Sequence, residues 1–324
     1  MILGIDTSCY TTSVALLSQN GELVDQQRKI LPVKKGNRGL SQSEALFYHI
    51  KQMPSLYQEL LQNMVAQGRS IAEVKLVAVS DRPRPLPTEE SYMPVFLGGL
   101  SFAQMVAQTL GVPLYCTTHQ EGHILAGIWS CGIPKDVPFL AVHLSGGTTE
   151  ILLVHWTEDG LQLQKVGGSE DIAAGQLVDR VGVSLGMQFP AGRELDELAL
   201  QVKNEQGEKL NFASRSGYFS LSGPESALQR KISQGGTPHI IAKTAWLTVA
   251  RVLAKSLDSL VKEYQCKHIL LAGGVSGSRN LRILLPQLLS DPQIYFCHPA
   301  YTGDNSVGVA LAGKYFFLDK MSKS

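Results

Sequence analysis

A short apolar run, a turn of small polar residues and a second apolar run occur twice in the chain, at 1–6, 7–12 and 13–17 and again at 139–144, 145–149 and 150–154. The two stretches align without a gap, Thr11-Thr12 falling on Thr148-Thr149. Self-similarity of this kind marks a duplicated supersecondary unit. Each copy continues through a second turn, Gln19-Asn20-Gly21 or Glu158-Asp159-Gly160, into a third strand of alternating polarity, so each unit opens with three antiparallel strands. Helical periodicity follows in both halves, at 43–64 and at 239–264, where Ile241, Ala245, Thr248, Val249, Val252 and Leu253 share one stripe. A further strand closes each unit, at 74–80 and at 268–272.

The bulk composition agrees with two such units and limits their partners. A chain of 324 residues that is 44% hydrophobic can bury a core for each. Its 29 basic and 28 acidic residues leave a net charge of +1, so no global field holds a polyanion, and any nucleic-acid contact must come from a local patch or a partner. Arg28, Lys29, Lys34, Lys35 and Arg38, interrupted by Pro32, Gly36 and Gly39, form one basic loop region, and Arg82 with Arg84 a second. Runs like these are more often solvated surface, yet they are the first candidates for such a patch. The cysteines at 9, 116, 131, 266 and 297 lack CxxC spacing, and no signal peptide or transmembrane-length apolar run is present. A reducing, cytoplasmic setting without a membrane is expected.

The sharpest local signal is His119-Gln120-Glu121-Gly122-His123. Histidines four apart on a helix stand one above the other, a geometry that suits one divalent metal. In zinc proteases the general base follows the first histidine directly, whereas Glu121 lies about 200° round the helix, which argues against a peptidase. Leu144-Ser145-Gly146-Gly147-Thr148-Thr149 lies between two strands, where glycines let N–H groups converge on an anion; a plain hairpin turn is the alternative. No GxxxxGK[ST] occurs. The strand at 268–272 runs into Gly273-Gly274-Val275-Ser276-Gly277-Ser278 and then a helix from near Asn280, a turn that lets a ligand approach the backbone or is simply tight. Thr302-Gly303-Asp304-Asn305 precedes a last helix over 306–318, and Asp304 could cap it or bind a metal.

In this order the motifs resemble the TsaD family, the tRNA threonylcarbamoyladenosine synthases once called glycoproteases, over nearly the whole chain. Ile5-Asp6-Thr7-Ser8-Cys9 is similar to the family's E/D-T-S-C start, Gly99-Leu100-Ser101-Phe102-Ala103 to GLSFA, and His119 to His123 to H-x-E-G-H. Ser145-Gly146-Gly147 is similar to SGG-H-T, Asp171-Ile172-Ala173-Ala174-Gly175 with Asp179 to DDAAGEAFDK, and Phe189-Pro190-Ala191-Gly192 to YPGGP. Phe219-Ser220-Leu221-Ser222-Gly223 is similar to FSFSG, Gly273-Gly274-Val275-Ser276 to GGVSAN, and Thr302-Gly303-Asp304-Asn305 to the C-terminal TDN.

The resemblance implies a two-domain α/β fold of the actin-like ATPase (sugar kinase/actin) type with duplicated βββαβα units. Residues 1–118 with a helix at 304–324 would form one half and 119–303 the other, ligands lying between them. It implies that His119, His123 and Asp304 hold one divalent metal, Fe2+ or Zn2+. Leu144, Ser145, Gly146, Gly147 and Thr148 would meet the phosphate of an adenine nucleotide or threonylcarbamoyl-AMP, and Asp179, Gly192, Asp196 and Ser278 its ribose and base. The implied reaction moves the threonylcarbamoyl group to N6 of the adenosine beside the anticodon in tRNA, with TsaB-like and TsaE-like partner proteins, the former packing on the N-terminal half. The chain also departs from the family. Tyr10-Thr11 stands for Asp-Glu, Thr148 for the loop histidine, Gln176 for Glu, Ser278 for Asn and Glu225 for Lys, while the stretch from Arg82 to Glu90 replaces a GPGL turn. Three readings stay open: the transferase, a related enzyme with another nucleotide substrate, and a non-catalytic partner subunit.

Overall fold

A computed structural model describes residues 1–8, 10–33, 40–85 and 93–322. Cys9, Lys34, Lys35, Gly36, Arg38, Gly39 and the stretch from Leu86 to Glu90 lie outside them. Its first sheet contains β1 (Ile2–Thr7), β2 (Thr11–Leu17), β3 (Leu23–Ile30), β4 (Leu76–Arg82) and β5 (Leu114–Thr118), in the order β3-β2-β1-β4-β5. The second contains β6 (Phe139–Leu144), β7 (Thr149–Trp156), β8 (Leu161–Ser169), β9 (Ser214–Arg215), β10 (Tyr218–Phe219), β11 (His268–Ala272) and β12 (Gln293–Phe296), ordered β12-β11-β6-β7-β8-β10-β9. The duplication predicted from sequence is therefore carried into the pairing. In the first sheet β1 pairs antiparallel with β2 and parallel with β4, which pairs parallel with β5; in the second β6 pairs antiparallel with β7 and parallel with β11, which pairs parallel with β12.

The helices are α1 (Gln42–Ala66), α2 (Pro94–Leu110), α3 (His119–Cys131), α4 (Ala174–Ser184), α5 (Gly192–Ala199), α6 (Ser222–Ser233), α7 (Pro238–Tyr264), α8 (Arg279–Leu288) and α9 (Val307–Gly313). Their ends follow from local chemistry. Ser41 with Glu44 and Thr118 with Glu121 form capping boxes that start α1 and α3, and Pro94 and Pro238 open α2 and α7. Gly111 and Gly132, at φ 65° and 68°, stop α2 and α3 in the left-handed conformation. None of the described helices is long and apolar enough to cross a membrane.

Several ends shift by one or two residues from the sequence expectation, β2 starting at Thr11 and β7 running to Trp156 among them, and two of the differences have a clear local form. The strand expected at 74–80 is found at Leu76–Arg82, because Ser70 caps a short 3-10 turn over Ile71–Glu73 that Val74 ends. The helix expected over 306–318 is α9 followed by a wider π-helical turn, Lys314–Leu318.

Strand alternation separates three apolar layers. Leu3, Ile5, Val14 and Leu16 face α1 and α2, whereas Leu140, Val142, Leu144 and Ile151 face the α4, α5, α7 and α8 side. The remaining faces meet in a shared core, where Ile2, Ala15, Leu76 and Ala78 of one sheet and Phe139, Ala141, Leu152 and Leu270 of the other enclose α3 and α9. The two central helices touch backbone to backbone: a Cβ on Gly308 would lie 1.8 Å from the Gly122 carbonyl oxygen.

Outside that core, Asp171 ties the segment before α4 to the start of α6. Its carboxylate accepts from the N–H groups of Ile172 (2.7 Å), Leu221 (2.9 Å) and Ser222 (3.0 Å) and from the hydroxyls of Ser169 and Ser220. Burial opposes ionisation, but these donors, Leu221 N–H foremost, outweigh it and hold the carboxyl well below the usual range. Asp171→Ala should cost about 1–2 kcal/mol at neutral pH, as loss of a helix cap does. A depressed pKa stabilises above the unfolded value of about 3.9 and stops doing so as the pH falls through the folded value. Urea melts of both proteins should therefore diverge at pH 7 and converge on strong acidification.

Candidate functional site

The end of β5 runs directly into α3, and the capping box fixes the register with which the histidines leave it. Glu121 Oε2 accepts from Thr117 Oγ1 at 2.9 Å and from Thr118 N–H and Oγ1 at 3.0 Å. It faces away from the histidines, as its helix angle predicts. On the other face the His119 and His123 rings meet edge-on at 4.5 Å, with their Nε2 atoms 3.1 Å apart. Asp304, just before α9, places Oδ1 3.5 Å from His119 Nε2 and 3.3 Å from His123 Nε2. All three donor atoms lie within 4.8 Å of one another. Asp304 does not cap the last helix; Asn305 Oδ1 accepts from Val307 N–H instead, at 3.2 Å.

Asp6, near the end of β1, completes the arrangement, and its place in the opening motif does not by itself mark it as a site residue. It is fully buried, with Oδ1 3.2 Å from His119 Nδ1, and it accepts from Ser8 Oγ (3.0 Å) and Ser80 Oγ. A carboxylate on Nδ1 leaves Nε2 as the ligand atom, the usual outer-shell pattern of metal-binding histidines. Burial resists charge at both His119 and Asp304, but Asp6 and Asp304 outweigh it at His119, and His119 and His123 outweigh it at Asp304. His119 is raised well above the ordinary imidazole value and Asp304 held well below the carboxylate one. Two imidazoles and a carboxylate, with an oriented tautomer, are a donor set that fits Zn2+ or Fe2+. Among the residues that sequence reasoning missed is also His143. Strand alternation turns it toward α3, where its buried ring lies 5.0 Å from that of His123 with both nitrogens unpartnered. Burial, then His123 and His119, lower its pKa well below the ordinary value.

From His143 the strand passes through buried Leu144 into the glycine loop. Ser145 N–H donates to Thr148 O (2.9 Å) and Thr148 N–H to Ser145 Oγ (3.0 Å), closing the turn. A Cβ on Gly146 or Gly147 would meet nothing within 4 Å, so these two face open space. The loop is held from behind: Thr149 Oγ1 accepts from Ala174 N–H at 2.7 Å, and Gly273, at φ 89°, lies so close to Leu144 that a Cβ there would be 2.3 Å from its carbonyl oxygen.

Asp179 accepts from Ala191 N–H at 2.8 Å beside Gly192, and burial pushes its carboxyl upward against the N–H groups of Ala191 and Gly192. Asp196 and Ser278, expected to face a nucleoside, are engaged with each other and with the protein. Asp196 accepts from Ser278 Oγ, from the N–H groups of Arg279 (2.9 Å) and Asn280 (3.2 Å), and from Asn280 Nδ2 (2.9 Å). Ser278 Oγ in turn caps α8 through Leu281 N–H at 3.1 Å. The physical reason is that the N–H groups at the α8 start have no partner within the helix and attract a carboxylate. Buried Lys243 holds Asn280 from behind, 2.6 Å from its Oδ1.

Comparison with known proteins decides the family. The profile described as TsaD, tRNA N6-adenosine threonylcarbamoyltransferase, matches residues 27–311. The chain belongs to the TsaD family. It is thus a transferase by family. Relatives named tRNA N6-adenosine threonylcarbamoyltransferase include one from Thermosipho africanus, 29% identical over 97% of this chain and 93% of its own length. One from Streptococcus pneumoniae (strain Hungary19A-6) is 30% identical over 96% and 90%. Among solved structures, T. kodakarensis HypF superposes with a TM-score of 0.60 at 13% identity, over 98% of this chain and 48% of that one. The activator of 2-hydroxyisocaproyl-CoA dehydratase from Clostridium difficile gives 0.55 at 13% over 99% and 96%. A ROK family glucokinase from Streptomyces griseus gives 0.52 at 13% over 96% and 98%, and these likenesses bear out the actin-like, sugar-kinase fold alone.

Proposed function

We propose that this TsaD-family chain moves a threonylcarbamoyl group from threonylcarbamoyl-AMP to N6 of the adenosine next to the anticodon in tRNA, with one divalent metal, Fe2+ or Zn2+, held by His119, His123 and Asp304. The observation that carries this reading is the convergence of those three side chains, with the His119 tautomer set by Asp6, beside the strand that leads into the open glycine loop. A metal held by these residues would supply Lewis acidity toward the carbamoyl carbonyl. Gly146 and Gly147 present backbone N–H groups to the adenylate phosphate, and Asp179 and Gly192 meet its ribose. N6 attacks the carbamoyl carbon, the bond to the phosphate oxygen breaks with its electron pair leaving on AMP, and N6 loses a proton.

In this reading residues 1–118 with 304–324 form one half and 119–303 the other, in a cytoplasmic protein. TsaB-like and TsaE-like partners belong to the proposal as well. The α1 and α2 faces leave Phe47, Ile50, Leu97 and Met105 exposed, which supports a protein partner on the N-terminal half.

Tyr10-Thr11 offers no carboxylate to receive the N6 proton; the Tyr10 ring lies 6.3 Å from Phe189 instead. A positioned base is worth about 10²–10⁴ in rate, so single-turnover transfer to unmodified tRNA, with partner subunits present, should be slower than for a relative with Asp-Glu there. Tyr10→Asp with Thr11→Glu should raise it. Absence of transfer by both proteins would mean a different acceptor or donor.

A further inference from the structure

Two places where the chain departs from the family are in contact. Arg84 follows β4 in the first half, and its segment is tied to α3 by Gln120 N–H donating to Pro83 O at 3.0 Å. From there the guanidinium crosses to the second half. Nη1 lies 3.0 Å from Glu150 Oε1 and Nη2 donates to Thr148 Oγ1 at 3.2 Å. Glu150, 4% exposed, is also met by Lys165 Nζ at 3.2 Å and by Gln120 Nε2 at 2.9 Å, so two cations share one carboxylate. Positive charge is left over at this point. A guanidinium has five N–H donors in a fixed fork, and one contact each to Glu150 and Thr148 leaves donors to spare on a side chain 38% exposed. Those donors sit at the loop whose Gly146 and Gly147 face open space.

We propose that Arg84 is an anion-binding side chain of this site, aimed by Glu150 and Thr148, which contacts a phosphate or carboxylate group of the ligand held at the 145–148 loop. The inference rests on the nucleotide reading above and names a residue for it. Planar donors match either oxyanion in a two-point contact, and the buried Glu150 keeps the fork in place before the ligand arrives. Thr148, which cannot itself carry charge, serves here as the hydroxyl acceptor that holds the second arm.

Calorimetric titration of wild type, Arg84→Gln and Arg84→Lys with AMP, adenosine and N-carbamoylthreonine separates the possibilities. Lys165 and Gln120 still satisfy Glu150 when Arg84 is replaced, so the fold survives, which thermal melts check. A phosphate contact predicts that Arg84→Gln weakens AMP about tenfold or more, leaves adenosine unchanged, and that Arg84→Lys recovers part of the loss. A carboxylate contact predicts the same pattern with N-carbamoylthreonine as the affected probe. Equal affinity of wild type and Arg84→Gln for every probe, or a loss extending equally to adenosine, overturns the assignment while leaving the nucleotide reading in place. Failure of wild type itself to bind any probe overturns both.

Discussion

Asp6→Asn should bind zinc or ferrous iron about 10–100-fold more weakly than the wild type while keeping its fold. The buried Asp6 carboxylate touches His119 only through Nδ1, on the side of the ring away from Asp304. Its effect on the metal is therefore to hold the ring and keep the proton on Nδ1. An amide keeps the shape and can still pair with Ser8 and Ser80, but it removes the charge that favours that tautomer and can turn an N–H toward the ring. His119→Ala, which deletes the ligand, should lose more than Asp6→Asn. Competition against a colorimetric chelator gives both affinities, and near-identical values for Asp6→Asn and wild type would remove Asp6 from the site's outer shell.

Gly308→Ala should destabilise the protein by about 3 kcal/mol, the upper end of overpacking effects, and should weaken metal binding with it. The methyl group would lie 1.8 Å from the Gly122 carbonyl oxygen and 3.0 Å from Ala126 N, so backbone, not a flexible side chain, has to give way. Since His119 and His123 flank Gly122 on α3 and Asp304 stands just before α9, pushing these helices apart also parts the ligand set. Gly146→Ala is the matched control, because a Cβ there meets nothing within 4 Å and its φ is not positive. Urea titration should show Gly308→Ala shifted and Gly146→Ala close to wild type. Equal stability of the two would mean that α3 and α9 are free to slide.

What could be read from the sequence depended on whether the signal was local. The duplicated strands, the α1 and α7 stripes and the convergence of His119 with His123 all follow from spacing within a few turns, and the structure repeats them. Asp6 and Ser80 meet across 74 positions, and Arg84 reaches Thr148 across 64, so nothing near either residue announces its partner. His143 is hidden differently: it lies in an apolar strand, and only knowing that Phe139 and Ala141 face α3 turns it toward His123. The contacts of Asp196 are hidden for a related reason, since its motif position says nothing about the α8 N–H groups that its carboxylate accepts from.

The position of α9 between the sheets has a consequence for biosynthesis. Strands β1, β2 and β4 are made well before α9, yet the side of them that carries Ile2, Ala15, Leu76 and Ala78 is covered by Val307, Val309 and Ala310. Until the chain has been made past Gly313, that apolar side lacks its cover and Asp304 lacks its mount. Nascent chains released before α9 should therefore aggregate and hold no metal, even with both histidines already in place.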